Sequence, residues 1–180
     1  MFVLAQIIGI LGMAMNVVSY QAKKQRNIIL IQFFGSLFFT INMFMLSAYT
    51  GALMNLIGVI RAYAYANKDK ILKFKYINLN LINIIFIVAF LLSYILVFAL
   101  FGKPFNAINV IIEFLPIIAM IVTTLAFSKQ SAKSVRRAVF ISSPSWLTYN
   151  CFNFAIGGII CEVFTLTSAI IAMIRFKKEK

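Results

Sequence analysis

Apolar residues run along this chain in long blocks separated by short polar or basic breaks. A bilayer core of ~30 Å takes about 20 apolar residues as a helix. Seven blocks are of that order: Phe2–Tyr20, Ile28–Leu46, Tyr49–Ala66, Ile77–Phe101, Ala107–Phe127, Ala138–Phe152 and Gly157–Phe176. The sixth is short, and Pro144 within it is expected to kink or loosen the helix. SAYTG, GKPFN and NFAIGG carry turn residues between successive blocks. The pattern predicts an all-α polytopic membrane protein with seven transmembrane helices and no separate soluble domain. The first block has no basic leader and no small-residue cleavage site, so it is expected to remain as a span.

Composition sharpens this. Of 180 residues, 63% are hydrophobic and 12% charged, against about 45–50% apolar in soluble domains. A soluble globule could not cover such a surface, and a disordered chain is not this apolar. The net charge is +13, yet the basic residues stand only between the blocks, in KKQR, KDKILKFK and KSVRR. None of these clusters is interleaved with the stacking aromatics of a single-strand groove, so nucleic acid is not an expected partner. Sixteen of the seventeen Lys and Arg fall on one side of the predicted bundle, and only Lys103 falls opposite. The positive-inside rule then places the N-terminus outside and the C-terminus in the cytoplasm.

The chain also matches itself. Shifted by 107 residues, the first span lies over the fifth: Gln6 on Glu113, Gly9 on Pro116, Met13 on Met120, Tyr20 on Phe127. With one extra loop residue, Thr40 falls on Thr148, Asn42 on Asn150, Phe44 on Phe152 and Phe38 on Trp146. At the original shift Gly51, Asn55, Gly58 and Ala62 fall on Gly158, Glu162, Thr165 and Ala169. Each of these sets occupies one helical face, a stripe of small residues that permits close approach between helices. The expected plan is a three-helix repeat (1–66), a cytoplasmic loop with a linking helix (67–105), and a second repeat with a short basic tail (106–180). Three crossings plus a linking fourth leave both repeats pointing the same way. This 3+1+3 layout resembles SWEET, PQ-loop and nicotinamide-riboside (PnuC-type) transporters. The Pro-Gln dipeptide of the PQ-loop group is absent, and SYQ stands after the first span.

Five segments, AQIIGILGM, SYQAKKQRN, AYTGALMNLIGVIRAY, SSPSWLTYN and GGIICEVFTL, come in an order and spacing that resemble the YgjV-type family of bacterial inner-membrane proteins. The resemblance covers nearly the whole chain. It implies multi-pass residence in the bacterial plasma (inner) membrane, and it carries neither a substrate nor a catalytic residue.

Candidate chemistry is sparse. There is no His, no Cys- or His-bearing metal spacing and no phosphate loop after a strand, so no enzyme, cofactor or metal is expected. Asp69 and Glu179 sit among basic residues and balance local charge. Glu113 and Glu162 stand inside apolar blocks, where an ionised carboxylate at mid-bilayer costs about 2.5–3.5 kcal/mol. Each either faces a hydrated cavity or is an interhelical hydrogen-bonding group. Gln6, Asn16, Gln32, Asn42, Asn55 and Asn150 must be satisfied inside the bundle, as interhelical bonds or as cavity lining. Trp146 either stacks on a ring-shaped solute or packs. Arg61 is read as snorkelling to the cytoplasmic interface, and Cys151 and Cys161 as small apolar residues. The substrate-site set is Glu162, Asn55, Glu113, Gln6, Asn42, Asn150 and Trp146. It serves a small permease for a polar solute or cation, rocking one repeat against the other. The alternative is a non-transporting accessory or scaffold protein. The lipid bilayer is a partner in either case, and assembly into a homo-oligomer is left open.

Overall fold

The computed structural model describes residues 2–73, 77–129 and 131–176. Lys75, Lys177, Lys178, Glu179 and Lys180, counted above with the charged segments, lie outside the described residues. Among the described residues the chain is all helical. In order come α1 (Phe2–Ser19), α2 (Gln25–Met45), α3 (Tyr49–Ala66), the single turn α4 (Lys68–Ile71), α5 (Leu79–Leu100), α6 (Ala107–Ser128), α7 (Ala132–Phe152) and α8 (Ile156–Arg175). Five of these, α1, α2, α5, α6 and α8, are long and apolar enough to cross a membrane. Helices α3 and α7 have 18 and 21 residues but a more polar composition.

Helix α7 corrects the short sixth block. It starts at Ala132, six residues before the apolar run, and takes Lys133, Arg136 and Arg137 into its first turns. Arg136 is accommodated there because its Nε and Nη2 donate to the carbonyls of Tyr20 and Ala22, at 3.1 and 2.9 Å. Its guanidinium also lies 4.6 Å from the centre of the Phe176 ring. The helix runs unbroken through Pro144, as α6 does through Pro116. Helices α5 and α6 begin with asparagine caps: Asn78 accepts from the Leu81 N–H and Asn106 from the Asn109 N–H.

Each of six helices packs against the next in the cycle α1–α2–α3–α6–α7–α8 and back to α1, while α5 lies outside against α3 and α6. Polarity is inverted relative to a soluble protein. Ile84, Ile85, Val88, Leu92 and Ile95 of α5 are exposed, whereas Arg61, Glu113, Asn42 and Asn150 are buried. That distribution suits a hydrocarbon solvent, in which polar groups must find partners inside the bundle.

Two turns share one construction. Ser47 and Phe154 both have positive φ, 56° and 50°, at the position past a helix end where glycine is usual. In the first turn Ala48 N–H bonds Met43 O at 2.9 Å and Ser47 N–H bonds Phe44 O at 3.1 Å. In the second, Ala155 N–H bonds Asn150 O at 3.0 Å and Phe154 N–H bonds Cys151 O at 3.3 Å. All of these positions lie 107 residues apart. Helices α2 and α7 also begin and end 107 apart. The extra loop residue read from the sequence is therefore not there. At this offset Asn42 falls on Tyr149, Met43 on Asn150 and Phe39 on Trp146, in place of the expected pairings of Asn42 with Asn150 and Phe38 with Trp146.

The small-residue stripes are also used differently from the expectation. A Cβ on Gly58 would meet only side chains, the Met120 methyl at 2.9 Å and Ser36 Oγ at 3.7 Å. The tight backbone approach is instead between α1 and α8, where a Cβ on Gly157 would lie 2.9 Å from the carbonyl carbon of Gly9.

Candidate functional site

Inside the six-helix ring lies a cavity of about 80 Å³, room for a few water molecules. Helical periodicity builds each wall. On α3, Asn55, Gly58, Arg61 and Ala62 share a face, and on α8 Glu162 and Thr165 do. Helix α2 contributes Gln32, Ser36, Phe39 and Met43, and α7 contributes Ser143, Trp146 and Asn150. Asn16 and Tyr20 of α1 and Thr123 and Phe127 of α6 complete the lining.

These residues fall into pairs separated by 107 positions: Asn16 and Thr123, Tyr20 and Phe127, Ser36 and Ser143, Phe39 and Trp146, Met43 and Asn150. Asn55 pairs with Glu162 and Gly58 with Thr165 in the same way. Every ring helix thus contributes residues of these pairs to the lining. Arg61, Gln32, Ala62, Met120 and Ser142 have no lining partner at this offset; for Arg61 the position is Ser168.

Of the seven substrate-site residues expected from the sequence, the structure brings Glu162, Asn55, Asn150 and Trp146 together here. The other three hold helices to one another. Asn42 Nδ2 donates to the Ala5 carbonyl at 2.7 Å, beside Gly9, whose lack of a side chain admits the amide. Gln6 Oε1 accepts the Gly157 N–H at 3.3 Å, satisfying a donor that the first turn of α8 leaves open. Glu113 is 1% exposed and forms an ion pair with Lys103, at the end of the bundle away from the basic clusters. A buried carboxylate needs a cation, and the one basic residue at that end supplies it.

Asn55 Nδ2 bonds the Gly51 carbonyl one turn back, at 2.9 Å. Trp146 meets Tyr149 edge to face, with centroids 5.8 Å apart. Three polar atoms of the lining are buried without a partner: Asn150 Oδ1, Ser143 Oγ and Arg61 Nε. The Ser143 hydroxyl neighbours the Glu162 carboxylate.

Arg61 is the residue that the sequence misplaced. It is 5% exposed and does not snorkel. Its Nη1 donates to Met120 O and to Thr124 Oγ1, both at 2.9 Å. Its guanidinium carbon lies 4.8 Å from the centre of the Phe127 ring and 5.7 Å from that of Phe90. The available signal was its place on the Gly51–Asn55–Gly58–Ala62 face, three residues after Gly58. Arg61 and Glu162 line one cavity without forming an ion pair with each other. Cys151 is exposed, Cys161 is buried, and both are free thiols. Among the described residues no three His, Cys, Asp or Glu come together to hold a metal.

The model of a family described as Imp-YgjV, bacterial inner membrane protein, matches residues 3–180. No curated protein and no solved structure gives a significant match.

Proposed function

From the premise that this chain belongs to the Imp-YgjV family of bacterial inner membrane proteins, we propose that it is a small permease for a polar solute, not an enzyme. In this reading all seven long helices cross the bilayer, with α1–α3 and α6–α8 as parallel repeats and α5 linking them. The basic end faces the cytoplasm, in keeping with the positive-inside rule. The repeat is supported by the two turns of like construction and by the common 107-residue offset. Transport is alternating access, one three-helix unit rocking against the other around a fixed central site.

The observation that carries the proposal is the paired lining of the cavity. Polar side chains enclosed by apolar helices are costly unless they bond one another. Here Asn150 and Arg61 each keep a buried polar atom unpartnered, at a place that equivalent positions of both units reach. Asn42 Oδ1 and Gln6 Nε2 are also buried without a partner, but neither residue lines the shared void.

The test is accessibility. With Cys151→Ser and Cys161→Ala as background, Ser36→Cys and Ser143→Cys each place a single thiol at equivalent positions of the cavity. A membrane-impermeant maleimide should label both from either face, in right-side-out and in inverted vesicles. Labelling from one face only, or from neither, would remove alternating access and leave a scaffold.

A further inference from the structure

The charges of the cavity assign it a solute class. Resting on the permease reading, we infer that the cavity takes a small zwitterion, its anionic group on Arg61 and its ammonium on Glu162.

Both are ionisable residues lining one cavity, and among the described residues neither forms an ion pair. The guanidinium has five N–H donors; Nη1 bonds a carbonyl and a hydroxyl, and Nε is buried with no acceptor. Around it stand the rings of Phe90 and Phe127 and no carboxylate. Glu162 has the Ser143 hydroxyl beside it and forms no ion pair with a Lys or Arg among the described residues. A buried charge left unpaired is strongly unfavourable. One molecule carrying both signs relieves both deficits at once; an amine or a carboxylate alone relieves one.

The depths of the two groups narrow the choice. Glu162 is at the repeat position of Asn55, and Arg61 lies six residues further along α3 than Asn55. At ~1.5 Å per residue this offsets the two levels by about 9 Å, less the reach of the side chains. Zwitterions with separated charges, of the ω-amino acid kind, fit this offset better than glycine. Arg61 belongs to the first unit and Glu162 to the second, so such a solute would bridge them. It would favour the conformation in which the units close on it, which is the differential affinity that alternating access needs.

The test is binding to the detergent-purified protein at neutral pH, using glycine, β-alanine, γ-aminobutyrate and 6-aminohexanoate. Butyrate and butylamine serve as the two half-probes. At least one ω-amino acid should bind about tenfold or more tighter than either half-probe, the factor expected from one charge-assisted hydrogen bond. Glu162→Gln should remove that advantage and leave butyrate binding as it was; Arg61→Gln should do the reverse and spare butylamine. If Arg61→Gln fails to fold, Glu162→Gln and the half-probes decide the matter. Butylamine binding as well as the best zwitterion makes this a cation site and overturns the inference, and butyrate doing so makes it an anion site. If no zwitterion exceeds the half-probes while the Ser36→Cys thiol is still labelled from both faces, the permease reading stands and the zwitterion does not.

Discussion

Gly157→Ala should destabilise the bundle, and Gly58→Ala should not. At Gly157 the added methyl would lie 2.9 Å from Gly9 C, 3.1 Å from Gly9 Cα and 3.2 Å from Ile10 N. All three are backbone atoms, so no rotamer change relieves the contact. Restoring even the 3.4 Å lower edge of ordinary contact means moving α8 from α1 by about 0.5 Å. That shift also lengthens the Gly157–Gln6 bond, already 3.3 Å. Overpacking of this kind costs about 1–3 kcal/mol, against a gain of about 0.5–1 kcal/mol from replacing a helical glycine by alanine. At Gly58 the methyl meets the flexible end of Met120, which can turn aside into the cavity. The propensity gain then stands nearly alone. The assay is thermal unfolding in detergent, where a change of 1 kcal/mol moves the midpoint by about 2–4 °C in chains of this length. If Gly157→Ala melts at or above Gly58→Ala, the α1–α8 backbone contact is not what holds the two units together.

Reporter fusions after Asn27, Lys70 and Ser131 should read cytoplasm, and fusions after Tyr49, Lys103 and Phe154 exterior; a cytoplasmic signal at Lys103 would remove α5 as a crossing and the parallel repeats with it. Tyr149→Phe should cost about 1–3 kcal/mol, because the Gly51 N–H loses its acceptor, the Tyr149 hydroxyl at 2.8 Å. It should also raise maleimide labelling of Ser36→Cys from the Lys103 face, and unchanged melting together with unchanged labelling would show that this bond does not hold α3 closed.

The spans were legible because hydrocarbon tolerates only internally satisfied backbone, which forces long apolar runs. The start of α7 was not. Its first turns carry Lys133, Arg136 and Arg137, and Arg136 is accommodated by Tyr20, Ala22 and Phe176, far away in sequence. Arg61 was misplaced for a similar reason. An arginine near a helix end reads as interfacial, and its burial depends on Phe90 of α5 and on Met120, Thr124 and Phe127 of α6. Four of the seven residues expected at the site line the cavity, and polarity within apolar runs is what pointed to them. The same signal fits a helix–helix bond, and so it also drew in Gln6, Asn42 and Glu113. The register of the second helix pair failed because like was matched with like. Thr40 with Thr148 and Asn42 with Asn150 are chemically alike, yet the equivalent positions are Met43 with Asn150 and Phe39 with Trp146. The turns at Ser47 and Phe154 and the bounds of α2 and α7 reveal that offset.

The 107-residue offset pairs much of the cavity lining, and the residues that break it make its two ends differ. At the basic end the units are joined by Arg136 to Tyr20 and Ala22, by Gln25 Nε2 to Phe127 O at 2.8 Å, and by Gln21 Nε2 to Ser168 O and Oγ at 3.0 and 2.8 Å. Ser168 in turn donates to Val17 O at 2.8 Å. At the opposite end, among the described residues, the Tyr149–Gly51 and Gln6–Gly157 bonds join the units through side chains. With about 0.5–1.5 kcal/mol net for each bond, opening the basic end costs more than opening the other. None of this follows from the repeat: at the offset of 107 the partners of Arg136, Gln25 and Gln21 are Ile29, Ala132 and Ser128. Two superimposable halves would favour neither face of the membrane. If the proposed permease rocks, its bias toward opening at the Lys103 end resides in Arg136, Gln25 and Gln21, as the asymmetry of the cavity resides in Arg61 and Glu162.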